Sequence, residues 1–206
     1  TIEMIKCNVT VCGVIGRDAS IRTNKEGKTF LVFPLRVMIP DTDGKTMPIE
    51  VDVSKDTAGE EVSNYRNGSR VEVSGTMYLK HRGDKLYFNL FINEIRTATA
   101  DAKDTVKGEL VFRGKVGQHI EEKRDKKDQP YTMFSAFSTE KVEDGFEYQW
   151  VRFFCFGKER EAWLQPGVRV DAKGEISLSA YNGKLNVSCK VEELVQYVAD
   201  SSNSNQ

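Results

Sequence analysis

Residues 148–157 read YQWVRFFCFG. Tyr148, Trp150, Arg152, Phe154 and Phe156 alternate there with Gln149, Val151, Phe153 and Cys155. Side chains along a strand point to opposite faces in turn, so each set shares one face. Val, Phe and Cys suit an interior. The other set, four rings and a guanidinium, then faces outward. Such a surface can stack bases and pair a phosphate. Base–aromatic stacking is worth roughly 1–3 kcal/mol per base and tolerates any sequence, because every base has a π-face. The plainer alternative is that a neighbouring domain or subunit covers the rings.

Other candidates are read the same way. If Phe134 and Ala136 point inward, Phe137 lies outward beside the aromatic strand, and Lys158 follows that strand closely. In the first half of the chain the corresponding strand is MPIEVDVS. With Met47, Ile49, Val51 and Val53 inside, Glu50 and Asp52 face out, and carboxylates repel phosphates. The remaining cations and rings there are Arg17 and Arg22 in the first loop, and Phe30 and Arg36 on the second strand. The hairpin MYLKHRGDKLYF adds Tyr78, Lys80, His81, Arg82, Lys85 and Tyr87. Rings interleaved with cations suit a wrapped single strand; a charged hairpin with half-buried tyrosines is the alternative. The loop EEKRDKKDQP (121–130) offers Lys123, Arg124, Lys126 and Lys127 as further candidates but balances them with four acids; an ordinary solvated loop is the alternative. Trp163, beside Leu164, reads as core.

The elements that must hold these residues come in two copies. VCGVIGRDASIRTNKEGKTFLVFPLRV from Val11 matches FRGKVGQHIEEKRDKKDQPYTMFSAFS from Phe112, with Gly13 and Gly16 falling on Gly114 and Gly117. NGSRVEVSGTM matches PGVRVDAKGEI, and DKLYFNLFINEI matches GKLNVSCKVEEL. Each copy shows five short alternating segments, with turn signals between them and a weakly helical stretch before the fourth. That is the layout of an OB-fold barrel. The expected fold is all-β: two tandem five-stranded OB-fold barrels, each with a short helical segment. The boundaries fall at 1–98 and 107–198, with a linker over 99–106 and a disordered polar tail over 199–206.

Bulk properties narrow the function. The chain has 206 residues, with 30 Lys+Arg against 31 Asp+Glu. Charge as a whole therefore predicts no polyanion binding, and any such site must be local. Cys7, Cys12, Cys155 and Cys189 form no C-x-x-C pair, and with only His81 and His119 there is no zinc set. Free thiols fit a reducing, cytoplasmic setting. No apolar run approaches the ~18–20 residues of a membrane helix. No phosphate-cradling G-x-x-x-x-G-K-[ST] loop, H-E-x-x-H or nucleophile–base constellation is present, so neither catalysis nor a cofactor is expected.

The second copy resembles the bacterial single-stranded DNA-binding protein family. WVRFFCFGKEREAWLQPGVRVDAKGEI carries the family's Trp (Trp150), its Arg two residues on (Arg152) and its Phe-Gly-Lys (Phe156-Gly157-Lys158). The later glycine motifs fall at Pro166-Gly167-Val168-Arg169-Val170 and Gly174-Glu175-Ile176. RGKVGQHIEEKR and, more closely, CGVIGRDASIRT resemble the family's opening strand and loop. The resemblance implies single-stranded DNA binding without sequence choice or catalysis, in DNA replication, repair and recombination. It also implies assembly, a homodimer supplying four OB domains. VADSSNSNQ has neither the acidic cluster nor the Phe of the family's usual tail, so partner recruitment is not implied. An assembly protein using the aromatic face for a protein partner, and an RNA-binding module, are the alternatives.

Overall fold

A computed structural model describes residues 5–198; the tail assigned above to 199–206 lies outside the described residues. Six strands form the first unit: β1 (Ile5–Ile15), β2 (Ser20–Thr23), β3 (Thr29–Pro40), β4 (Thr46–Asp56), β5 (Arg70–Arg82) and β6 (Lys85–Thr97). Five form the second: β7 (Thr105–Arg124), β8 (Pro130–Val142), β9 (Gly145–Phe156), β10 (Arg169–Tyr181) and β11 (Lys184–Gln196). Hydrogen bonding runs β1–β5–β6–β4–β3 and closes back on β1; in the second unit it runs β7–β10–β11–β9–β8 and closes on β7. Among the described residues, only β4–β6 and β9–β11 pair in parallel. These are two five-stranded barrels of the OB type, with β2 added along β3.

Alternation places the cores. Leu31, Phe33, Leu35, Val37 and Ile39 point into barrel 1 from β3. In barrel 2, Phe153 packs against Phe134 with ring centroids 5.1 Å apart and against Phe112 at 4.9 Å. Both barrels bend at the same place, a register shift beside Gly75 on β5 and beside Gly174 on β10. A Cβ at Gly75 would strike the Phe91 carbonyl, and one at Gly174 the Lys190 carbonyl. The glycines expected at the bends of a small barrel are thus required by backbone approach.

The helical segments expected in each copy are almost absent. Before its fourth long strand barrel 1 keeps a 3-10 turn at Val62–Asn64 (another, Thr42–Gly44, joins β3 to β4), and the KEREAWLQP stretch of barrel 2 has turns only. A segment this short, stopped by Pro166-Gly167, cannot repay helix nucleation. Leu164 is buried and Trp163 packs partly on the core, so anchoring side chains hold the stretch instead.

The barrels join edge to edge. Lys6–Cys12 of β1 pair antiparallel with Thr105–Val111 of β7. Asn8 pairs with Glu109, 101 residues on. That is also the offset between Gly13 and Gly114, so a pseudo-two-fold axis passes between Asn8 and Glu109. Pseudo-equivalent hairpins then clasp the opposite barrel. Arg82 donates two 2.9 Å hydrogen bonds to the Glu140 carboxylate. Glu147 meets His81 Nδ1 at 3.0 Å and accepts from the Gly83 N–H at 3.2 Å. On the other side the Gly183 N–H donates to Asp41 at 2.9 Å, and the Asn182 N–H to the Thr42 hydroxyl at 2.8 Å. The segment between the barrels is tied down by Asp104, which accepts from the Met38 N–H at 2.8 Å and pairs with Arg70.

Candidate nucleic-acid interface

Strand β9 carries the alternating aromatic series Tyr148, Trp150, Arg152, Phe154 and Phe156. Val151, Phe153 and Cys155 are buried, whereas Tyr148, Trp150, Arg152 and Phe156 are exposed and Phe154 is partly so. Register sets their neighbours: Phe137 of β8 lies opposite Trp150, Ser135 opposite Arg152, Met133 opposite Phe154 and Tyr131 opposite Phe156. The rings form two groups. Phe137 lies 5.0 Å from Trp150 and 5.6 Å, edge-on, from Tyr148. Phe154 stacks on Phe156 at 6.0 Å and 5°, and Tyr131 adjoins Phe156 at 5.3 Å. Arg152 lies between the groups and makes no ion pair among the described residues. Lys190 of β11 sits over the Phe156 ring at 5.8 Å.

Trp150 has a dedicated seat. A Cβ added at Gly117 would lie 2.8 Å from Trp150 Cζ3, so the indole rests where no other residue type leaves room. At Gly16, the equivalent position in barrel 1, the nearest atoms belong to Pro34 at 3.7 Å. One half of the indole's surroundings is thus fixed by protein, and the residue is still 50% exposed.

Barrel 1 presents the same geometry with different chemistry. Leu35 pairs with Val51 as Ala136 pairs with Val151, so β4 and β9 correspond at an offset of 100. Glu50 stands where Trp150 stands, Asp52 where Arg152 does, Ser54 for Phe154 and Asp56 for Phe156. Burial, then the neighbouring Glu50, raises the pKa of Asp52, against the pull of Lys85, Arg17 and Arg22. A cleft of about 730 Å³ across the pseudo-two-fold axis brings these faces together. Glu50, Asp52, Lys85 and Tyr87 line it from barrel 1, and Tyr148, Trp150 and Arg152 from barrel 2.

The remaining candidates scatter. Lys85 and Tyr87 reach this cleft, with the Lys85 ammonium 4.8 Å from the Tyr87 ring centre. Arg17 and Arg22 line a separate hollow on barrel 1. Phe30 lies opposite Arg22 in register, under Lys28 at 5.4 Å. Arg36 is exposed opposite Glu50. Tyr78 is partly buried and edge-on to Phe91, and Lys80 is exposed on the same strand. Arg82 is committed to Glu140. Lys158 pairs with Glu161 at 3.5 Å. The loop 121–130 spends Lys123 on Glu121 and Arg124 on Glu159 and Asp128.

Sequence reasoning missed Phe91, Asn89, Tyr131, Lys190 and the seat at Gly117. Parity along β6 places Lys85, Tyr87, Asn89 and Phe91 on one face, so the pattern of the hairpin, residues 77–88, continues beyond it. The Gly16–Gly117 match marked a repeat, without indicating what lies over each glycine.

All four cysteines are free and buried. Burial pushes the Cys7 and Cys189 thiols to about 12 and Cys155 to about 11, so they pack as protonated apolar groups. No described cluster of His, Cys, Asp and Glu could hold a metal, and no described helix is long and apolar enough to cross a membrane.

No known family model and no curated protein matches the chain. Among solved structures, the wild-type single-stranded DNA binding protein from Thermus aquaticus aligns with a TM-score of 0.46 at 12% identity, covering 100% of this chain and 98% of that one. A deletion mutant of the same protein gives 0.48 at 11%, covering 99% of each chain. The N-terminal domain of PriB from Thermoanaerobacter tencongensis gives 0.31 at 22%, covering 45% of this chain and 97% of that one. Likenesses of this size leave the question of what the chain binds to its own residues.

Proposed function

We propose that this protein binds single-stranded nucleic acid, DNA in the first instance, without sequence choice and without catalysis. The observation that carries the reading is the outer face of β8 and β9. Exposed rings there form two groups around Arg152, which no carboxylate among the described residues neutralises. Trp150 and Phe137 offer one stacking station, and Phe154 with Phe156 a second. Arg152 between them is placed to pair the phosphates that link the stacked bases, a charge-assisted contact. Tyr148 extends the first station toward the cleft, where Lys85 and Tyr87 face it. With net charge near zero, fewer counterions should be released than by a strongly basic binder, and the salt dependence should be shallow. A homodimer bringing four barrels together belongs to the same reading; light scattering on the purified chain tests it separately.

The test is a titration with oligo-dT at two salt concentrations, followed by tryptophan fluorescence. Trp150 is half exposed and Trp163 largely covered, so stacking should quench the former. Trp150→Ala should weaken binding about 5- to 100-fold, the equivalent of one lost stack. Absence of binding at low salt sinks the reading. Binding indifferent to Trp150→Ala keeps the function but moves the site. A matched oligo-U titration decides between DNA and RNA.

A further inference from the structure

Barrel 1 is not acidic along its whole outer face. Phe91 on β6 lies beside Ser54 of β4 and is 52% exposed. Its ring is edge-on to Tyr78, centroids 6.2 Å apart. At the equivalent level of barrel 2, Phe154 of β9 lies beside Lys190 of β11. The aromatic has therefore moved one strand over, from the third long strand of the barrel to the fifth. A hollow of about 650 Å³ opens beside Phe91, lined also by Arg17, Arg22, Asn89, Ser54 and Asp52. Arg17 and Arg22 are exposed and make no ion pair among the described residues. The other acid in the hollow, Asp18, is already engaged by Arg66 at 3.4 Å and by the Asn67 N–H at 2.8 Å. The hollow meets the inter-barrel cleft at Asp52, which lines both.

We propose that Phe91, Arg17 and Arg22 form a second nucleotide subsite, on barrel 1, divided from the Trp150 face by Glu50 and Asp52. Its ligand is a further stretch of the same single strand: a base on the Phe91 ring, phosphates on the two guanidiniums, and Asn89 within reach of a base edge. The strand then touches two stations and bridges an acidic gap rather than following one continuous face. This rests on the reading of the β9 face given above, because the subsite is reached by a strand already held there.

The test uses the full chain and two oligo-dT lengths, about 8 nucleotides, within the span of one OB fold, and about 30, enough for two. Comparing variant with wild type at each length cancels the statistical advantage of a longer lattice. Phe91→Ala/Arg22→Gln should leave the affinity for the short oligonucleotide within about two-fold and weaken that for the long one about ten-fold or more. Phe91→Tyr, which keeps a ring, should retain wild-type affinity at both lengths and separates a lost platform from a damaged barrel. Unchanged long-oligonucleotide binding in the double variant overturns the subsite, as does equal loss at both lengths. A wild-type protein that binds neither length overturns the underlying reading as well, whereas short binding abolished by Trp150→Ala with no effect of Phe91→Ala/Arg22→Gln overturns the subsite alone.

Discussion

The two barrels share a backbone and differ in what they turn outward. On β9 the outward series runs Tyr148, Trp150, Arg152, Phe154, Phe156; on β4 it runs Pro48, Glu50, Asp52, Ser54, Asp56. The inward residues of the two strands are interchangeable in kind, because a small barrel's interior is filled mainly by apolar side chains. The outward residues answer to whatever touches them, and here they have diverged in charge as well as shape. Repetition of a fold thus carries no repetition of a binding surface.

The sharpest way to break the comparison is to rewrite barrel 2 in the chemistry of barrel 1. Trp150→Glu/Arg152→Asp should lower affinity for oligo-dT by two to three orders of magnitude, combining about 1–3 kcal/mol of stacking with a charge-assisted contact of similar size. Fluorescence anisotropy with a labelled oligonucleotide measures it. Because both side chains are exposed, the melting temperature should barely move.

A subtler change leaves the face intact and removes only its seat. Gly117→Ala places a methyl against the indole of Trp150, which must tilt outward. Binding should fall about ten-fold, the loss of one well-formed stack. Gly16→Ala, with ordinary contacts around it, should change binding by less than two-fold.

Neutralising barrel 1 should act in the opposite direction. Glu50→Gln/Asp52→Asn should tighten binding a few-fold by removing repulsion in the shared cleft. Burial and Glu50 hold the Asp52 pKa above the ordinary aspartate range, so on acidification it takes up a proton earlier. Affinity of the wild type should therefore rise as the pH falls toward that raised pKa and Asp52 loses its charge. The rise should be smaller in Asp52→Asn, and a titration at several pH values isolates the difference.

The smallest effect concerns the clasp. Arg82→Ala removes the bidentate bond to Glu140, whose pKa that bond lowers. The pair is half-exposed, so the expected loss is about 1 kcal/mol or less, read from urea denaturation. This stabilisation is present above the ordinary carboxylate pKa and disappears as the pH falls through the lowered one. An Arg82→Ala variant that lost DNA binding instead would return this residue to the interface.

Alternation and internal repetition made the barrels readable in advance, because period two is written directly into strands such as RVEVSGTM and WVRFFCF. The exposure of Trp150 and Arg152 followed from the same parity. What one strand's parity cannot give is the arrangement between strands. Arg82 looked like a free cation until the opposite barrel supplied Glu140 across the axis. Phe91 carries no local signal in the sequence, because Arg17 and Arg22, which line the same hollow, come from a loop and strand some 70 residues earlier. The expected helical pieces failed because weak propensity over so short a span cannot repay nucleation, and a few core contacts, Val62 and Tyr65 in barrel 1 and Trp163 and Leu164 in barrel 2, hold the chain without a helix.

The pairing of β1 with β7 has a consequence for direction. A nucleic-acid strand is a polar chain, with unlike 5′ and 3′ ends. A path crossing a two-fold axis at right angles meets the second half in the reverse sense to the first. Two identical faces would therefore have to accept the strand forwards in one barrel and backwards in the other. Faces that differ, as β4 and β9 do, are released from that requirement, so a strand held on β9 as proposed above can keep a single sense across the axis.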